Sequence, residues 1–117
     1  MATITKRLLS GSTNGEGIKV AATATLGTTI HTAVTGTSDI DEIWLYAVNS
    51  DTTDRKLTLE FGGVTDPDNL IEFTVPAEDG LYLVSPGLVL NNAQVVTAFC
   101  ATANVVMIYG WVNRITA

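Results

Sequence analysis

KLTLEF, Lys56 to Phe61, alternates with a period of two: Leu57, Leu59 and Phe61 fall on one face, Lys56, Thr58 and Glu60 on the other. That pattern reads as a half-buried β-strand, its apolar face to a core and its polar face to water. Leu70 to Val75 repeats it, with Ile71, Phe73 and Val75 inward and Glu72 and Thr74 outward, until Pro76 removes a ladder donor. The two are expected to be neighbours in one sheet. Outward from this pair the chain is rich in Thr, Val and Ile, which lose rotamer freedom in helices and pack well on pleated surfaces. Strands are expected near Ala2–Leu9, Ile18–Thr25 and Thr28–Val34, and turn clusters rich in Gly, Asn, Asp and Pro punctuate the rest. About eight to ten short strands without a long amphipathic helix give an all-β expectation. The expected architecture is a single-domain antiparallel β-sandwich of jelly-roll type over residues 18–117. An N-terminal arm, residues 1–17, precedes it and ends in the Gly/Ser/Thr/Asn stretch Ser10–Gly17.

Three runs are apolar on both faces: Ile43–Val48, Val95–Ala101 and Val105–Val112. A sandwich strand normally turns one face to water, so these need a second cover, and a neighbouring subunit is the simplest one. The last two runs are separated by Thr102, Ala103 and Asn104 and read as an antiparallel hairpin, Asn being tolerant of the left-handed conformation.

Charge sharpens this expectation. Of 117 residues, 46% are hydrophobic and only 15% charged, against about 25% in an average soluble domain. Eleven of the twelve acids lie between Asp39 and Asp79, while residues 80–113 carry none of either sign. Such an uncharged third is either sandwich centre or subunit interface. A net charge of −6 argues against a basic surface for nucleic acid or for an anionic membrane. One cysteine excludes an internal disulfide and a cysteine-based zinc site. The apolar run at Leu8–Leu9 is too short for a signal peptide, and Val20–Ser38, rich in Thr and Gly, fails as a membrane span.

The residues that can carry chemistry are few. His31 lacks a carboxylate nearby in sequence and reads as a hydrogen-bonded strand residue rather than a general base. Cys100, between Phe99 and Ala101, reads as a buried small hydrophobe. Asp66, Asp68, Asn69 and Glu72 gather oxygen ligands without matching a calcium loop, and Asp39, Asp41 and Glu42 read as a turn cap or a solvated run. Gly62 and Gly63 make a turn, since no phosphate-loop sequence follows. Trp44, Tyr46, Tyr109 and Trp111 suit a core, a subunit interface or, in a lectin-like module, a platform for glycans. Neither catalysis, cofactor, metal nor small-molecule substrate is expected.

The stretches DEIWLYAVNSDTTDRKLTLEFGG (Asp41–Gly63), GLYLVSPGLVLNN (Gly80–Asn92) and NVVMIYGWVNRIT (Asn104–Thr116) resemble small virion structural proteins of tailed bacteriophages. The resemblance implies a head decoration or cement protein: a compact β-domain that assembles outside the capsid, often as a trimer, with the major capsid protein as partner. It equally admits a tail, neck or fibre-associated role. Under it, Lys6, Arg7, Trp44, Tyr46, Tyr109 and Trp111 are the interface residues. The arm bearing Lys6 and Arg7 either frays, orders on the lattice, or adds a strand to a neighbour's sheet.

Overall fold

Wherever apolar residues alternate or β-branched residues dominate, the chain extends. The computed structural model describes residues 2–117, and these contain nine strands and no helix. The strands are β1 (Thr3–Leu8), β2 (Ile18–Lys19), β3 (Thr28–Thr32), β4 (Ile40–Asn49), β5 (Arg55–Phe61), β6 (Leu70–Val75), β7 (Tyr82–Leu90), β8 (Val95–Cys100) and β9 (Val106–Thr116). They form two antiparallel sheets packed face to face, one ordered β1-β9-β4-β7 with β2 also on β9, the other β3-β8-β5-β6. Pairing is nested: β1 joins β9, β3 joins β8, β4 joins β7 and β5 joins β6. The β5–β6 pair is the one expected from the two alternating segments, with Leu57 opposite Phe73 and Leu59 opposite Ile71.

Alternate residues of the long strands fill the space between the sheets. Ile43, Leu45 and Ala47 of β4 and Val106, Ile108 and Val112 of β9 meet Leu57 and Leu59 of β5 and Val96, Ala98 and Cys100 of β8. Each large aliphatic residue buried there contributes roughly 1.5–3 kcal/mol of transfer free energy. Cys100 is the small core hydrophobe that its neighbours suggested. Buried Asn49 closes one end of the sandwich. Its Nδ2 donates to the Thr53 and Val75 carbonyls at 2.9 and 3.0 Å, and its Oδ1 accepts from the Asp51 amide at 2.9 Å.

Four sequence expectations need correction. The runs around β8 and β9 do not form a hairpin: β8 pairs β3 and β5, β9 pairs β1, β2 and β4, and Ala101–Val105 crosses between sheets. The link carries the chain from one sheet to the other, so that Val96, Ala98 and Cys100 of β8 and Val106, Ile108 and Val112 of β9 join the core between the sheets. The strand expected over Ile18–Thr25 stops at Lys19, because the Ala21 and Ala22 amides donate to Thr28 Oγ1 instead of to a ladder.

Glu60 and Thr58, assigned to the solvent face of β5, are buried. The segment before β3 folds over them: Thr25 Oγ1 and the Gly27 amide donate to Glu60 at 2.6 and 2.7 Å, beside Thr97 Oγ1 of β8 at 2.5 Å. Desolvation would raise the Glu60 pKa, yet these three donors outweigh it and hold the carboxyl below its ordinary value. The same segment lies beside Thr97 of β8, the two sharing the Glu60 carboxylate. Residues 1–17, set apart as an arm, carry β1, which pairs β9 over six residues, and Leu9, which is buried in the core.

At Gly110 the backbones of β9 and β4 come so close that a Cβ would stand 2.0 Å from the Trp44 carbonyl oxygen. Gly110→Ala is therefore expected to lower unfolding free energy by about 2–3 kcal/mol, read from the midpoint of urea denaturation. An unchanged midpoint contradicts this packing.

Candidate interaction face

The residues of β4 that turn away from the core are Glu42, Trp44 and Tyr46, and the register fixes what stands beside them. Trp44 pairs with Trp111 and Tyr46 with Tyr109 on β9, while on the far side of β9 Leu8 of β1 pairs with Trp111 and Lys6 with Asn113. One outer sheet face thus gathers Lys6, Trp44, Tyr46, Tyr109 and Trp111, five of the six residues expected at an interface. Arg7 is not among them: it pairs with the inward-facing Val112 and so points to the opposite side of the sheet.

The aromatic rings stack rather than spread. Trp111 stacks with Trp44, at a centroid distance of 6.0 Å and 12° interplanar angle, and with Tyr46, at 5.9 Å and 24°. Lys6 Nζ stands 4.8 Å from the Trp111 ring centroid, a cation–π contact between β1 and β9. Glycines make the room these rings need. A Cβ on Gly87 would meet the Trp44 ring at 2.9 Å, and one on Gly17 would meet Tyr109 at 2.7 Å. Trp44 Nε1 donates to Glu42 at 2.7 Å and Asn113 Nδ2 to the same oxygen at 3.0 Å. Asn113 and Trp44 together hold the Glu42 carboxyl below its usual range. Trp111 Nε1, by contrast, is buried without any acceptor.

Part of the cover that the doubly apolar strands call for is thus supplied by their own rings, since both tryptophans are half-buried. The remainder stays open. Around the stack, Ile4 is 67% exposed, Leu8 57%, Val89 51% and Tyr109 40%. The stack also disfavours a sugar platform, because Trp111 spends its ring faces on Trp44, Tyr46 and Lys6 instead of presenting them to a pyranose.

The other chemistry-bearing residues have internal duties. His31 and Asp41, far apart by sequence logic, meet in the interior with Nε2 2.7 Å from Oδ2. Asp41 is fully buried, correcting its reading as a cap or solvated acid. It also takes Arg114 Nε at 2.8 Å, Arg114 Nη2 at 3.0 Å and the Val34 amide at 3.1 Å. The Ser10 amide donates to His31 Nδ1 at 3.0 Å, so the ring bears its proton on Nε2 and donates it to Asp41. Ser10 Oγ is itself engaged by the Thr32 amide at 2.7 Å. With both nitrogens occupied, the imidazole joins the two sheets and has none left to activate a hydroxyl. Asp66, Asp68 and Glu72 do not converge, and among the described residues no three His, Cys, Asp or Glu side chains are grouped as metal ligands.

No protein-family model matches this chain, nor does any curated protein or any solved structure.

Burial would push the Asp41 pKa up, but hydrogen bonds from Arg114 and His31 and the charge of Arg114 outweigh it and hold it below the ordinary 3.8. The ionised carboxylate therefore favours the fold above that value, and its contribution fades as pH falls through the lower folded-state pKa. Asp41→Asn should cost about 2–3 kcal/mol at neutral pH and flatten the acid limb of stability, followed by urea denaturation across pH. A variant with an unaltered acid limb refutes this assignment.

Proposed function

We propose that this chain is a structural protein of a bacteriophage virion: a capsid decoration or cement protein that seats on the outer head surface as an oligomer, a trimer being the favoured state. The observation that carries this reading is the outer face of the β1-β9-β4-β7 sheet, where stacked aromatics are ringed by open Ile4, Leu8, Val89 and Tyr109. A sheet face of this composition, with its one acid tied to Trp44 and Asn113, is suited to be closed by another protein surface. Sister copies and the major capsid protein are the surfaces that the resemblance supplies. Contacts that are weak per copy gain avidity when an oligomer engages several capsid subunits together.

The strand order supports a jelly roll as the finer description of the sandwich. Leaving aside the two-residue β2, the first long strand pairs with the last, the second with the second last, and so inward to the β5–β6 pair. That is one long antiparallel ribbon folded over into two sheets, an arrangement used by viral capsid domains. In this reading the acidic turns, with Asp51, Asp54, Glu78 and Asp79, face solvent and keep unassembled copies soluble.

The reading expects a multimer by light scattering at micromolar concentration and density for the chain on heads of the encoding phage by cryo-electron microscopy. Tyr109→Glu, which sets a charge on the open face, should weaken self-association by roughly tenfold or more while leaving the circular-dichroism spectrum unchanged. A protein that stays monomeric and is missing from purified particles overturns it. Density on the tail alone moves it to the tail.

A further inference from the structure

β1 is unlike every other strand of the fold: all six of its residues are exposed, on both faces, and it pairs with β9 alone. Thr3, Thr5 and Arg7, on the side of the sheet that elsewhere faces the core, are exposed like the rest of the strand. A strand with no buried face has only its ladder to hold it, and its outer edge offers free amides and carbonyls. It is also the basic end of an acidic protein, with Lys6 and Arg7 side by side and no acid.

The second sheet ends in β6, which pairs only with β5 and leaves its other edge open. This edge is acidic: Glu72 lies on it, with Asp66 and Asp68 in the loop leading in, and among the described residues Glu72 pairs only with the exposed Lys56, at 2.9 Å. The two open edges are on opposite flanks. Chain just beyond β1 is tied to β3, by the Gly11 amide on the Ile30 carbonyl and the Ser10 amide on His31, whereas β6 lies below β4 and β7, through Asn49 on Val75 and Phe73 on Tyr82.

From this we infer that β1 of one copy adds antiparallel to β6 of the next, joining the basic edge to the acidic edge of a second copy. The inference rests on the oligomeric reading above and adds an edge-to-edge contact to the sheet-face contact proposed there. Both strands are six residues long. Laid in full register, Lys6 stands opposite Glu72, Leu8 opposite Leu70, Ile4 opposite Thr74 and Thr5 opposite Phe73, so charge meets charge and the apolar ends coincide. Because the edges occupy opposite flanks, the contact is head-to-tail, and a closed ring follows where the rotation per copy completes a circle. Pairing β1 with a second β1 is disfavoured by comparison, since it brings four cations together with no acid between them.

A charge swap tests the pairing on exposed residues of the full chain. Lys6→Glu and Glu72→Lys, each alone, should raise the dissociation constant of self-association by roughly tenfold or more, and the double variant should recover most of the loss. Circular dichroism checks that each variant is folded. Independently, Leu8→Cys with Leu70→Cys should give covalent multimers under oxidation, because within one chain these positions are on opposite flanks and cannot join. If self-association ignores both charge reversals and the cysteine pair stays uncross-linked, while Tyr109→Glu still dissociates the protein, the strand pairing is overturned and the oligomeric reading survives. A wild-type protein that is monomeric at every concentration overturns both.

Discussion

β4 and β9 are apolar on two faces, and a two-layer sandwich has only one interior to give them. One set of side chains, from Ile43 to Val112, makes that interior. The other set has to be dealt with outside it, and the chain does so by stacking Trp44, Trp111 and Tyr46 against one another across the strand pair. The absence of a side chain at Gly87 leaves room for the Trp44 ring, and its absence at Gly17 leaves room for that of Tyr109. Tyr109, Ile4, Leu8 and Val89 stay outside this self-packing, and their exposure sets the molecule's relation to its surroundings.

With so few charges, the chain commits several of them to its interior. Asp41 gathers His31 from one sheet and Arg114 from the other, and Glu60 gathers three neutral donors that fix the crossing segment before β3. Each buried carboxylate is matched by donors on all sides, the condition under which an ionised group in an apolar setting is tolerable. The specificity of such networks complements the indifference of hydrophobic burial. Leu57 packs against any apolar neighbour of suitable shape, whereas Asp41 accepts only a sandwich in which β3 and β9 are correctly placed.

How far the sequence discloses this depends on which residues are asked. The alternation in Lys56–Phe61 locates β5 and its partner β6, because period and pairing are both local consequences of the pleat. The same alternation misplaces Glu60, since whether a polar face meets water depends on a crossing segment more than thirty residues distant in the chain. His31 and Asp41 are ten residues apart, and no pattern of spacing marks them as a pair; only the approach of β3 to β4 does. β8 and β9 look like a hairpin because a short polar link joins two apolar runs, but such a link serves a sheet-to-sheet crossing as well. The aromatic face was more legible: even positions on β4 and odd ones on β9 share a side as soon as the two strands are adjacent. Arg7 falls off that face by the same parity, one residue from Lys6 and therefore on the reverse side.

The tryptophan stack has one more consequence. Both indoles of the chain belong to it, and neither is in the interior. Ultraviolet emission from this protein is therefore a property of a single outer patch, its colour following the polarity of whatever lies over that patch. The molecule carries an intrinsic optical gauge of contact there, one that is largely blind to events in the opposite sheet.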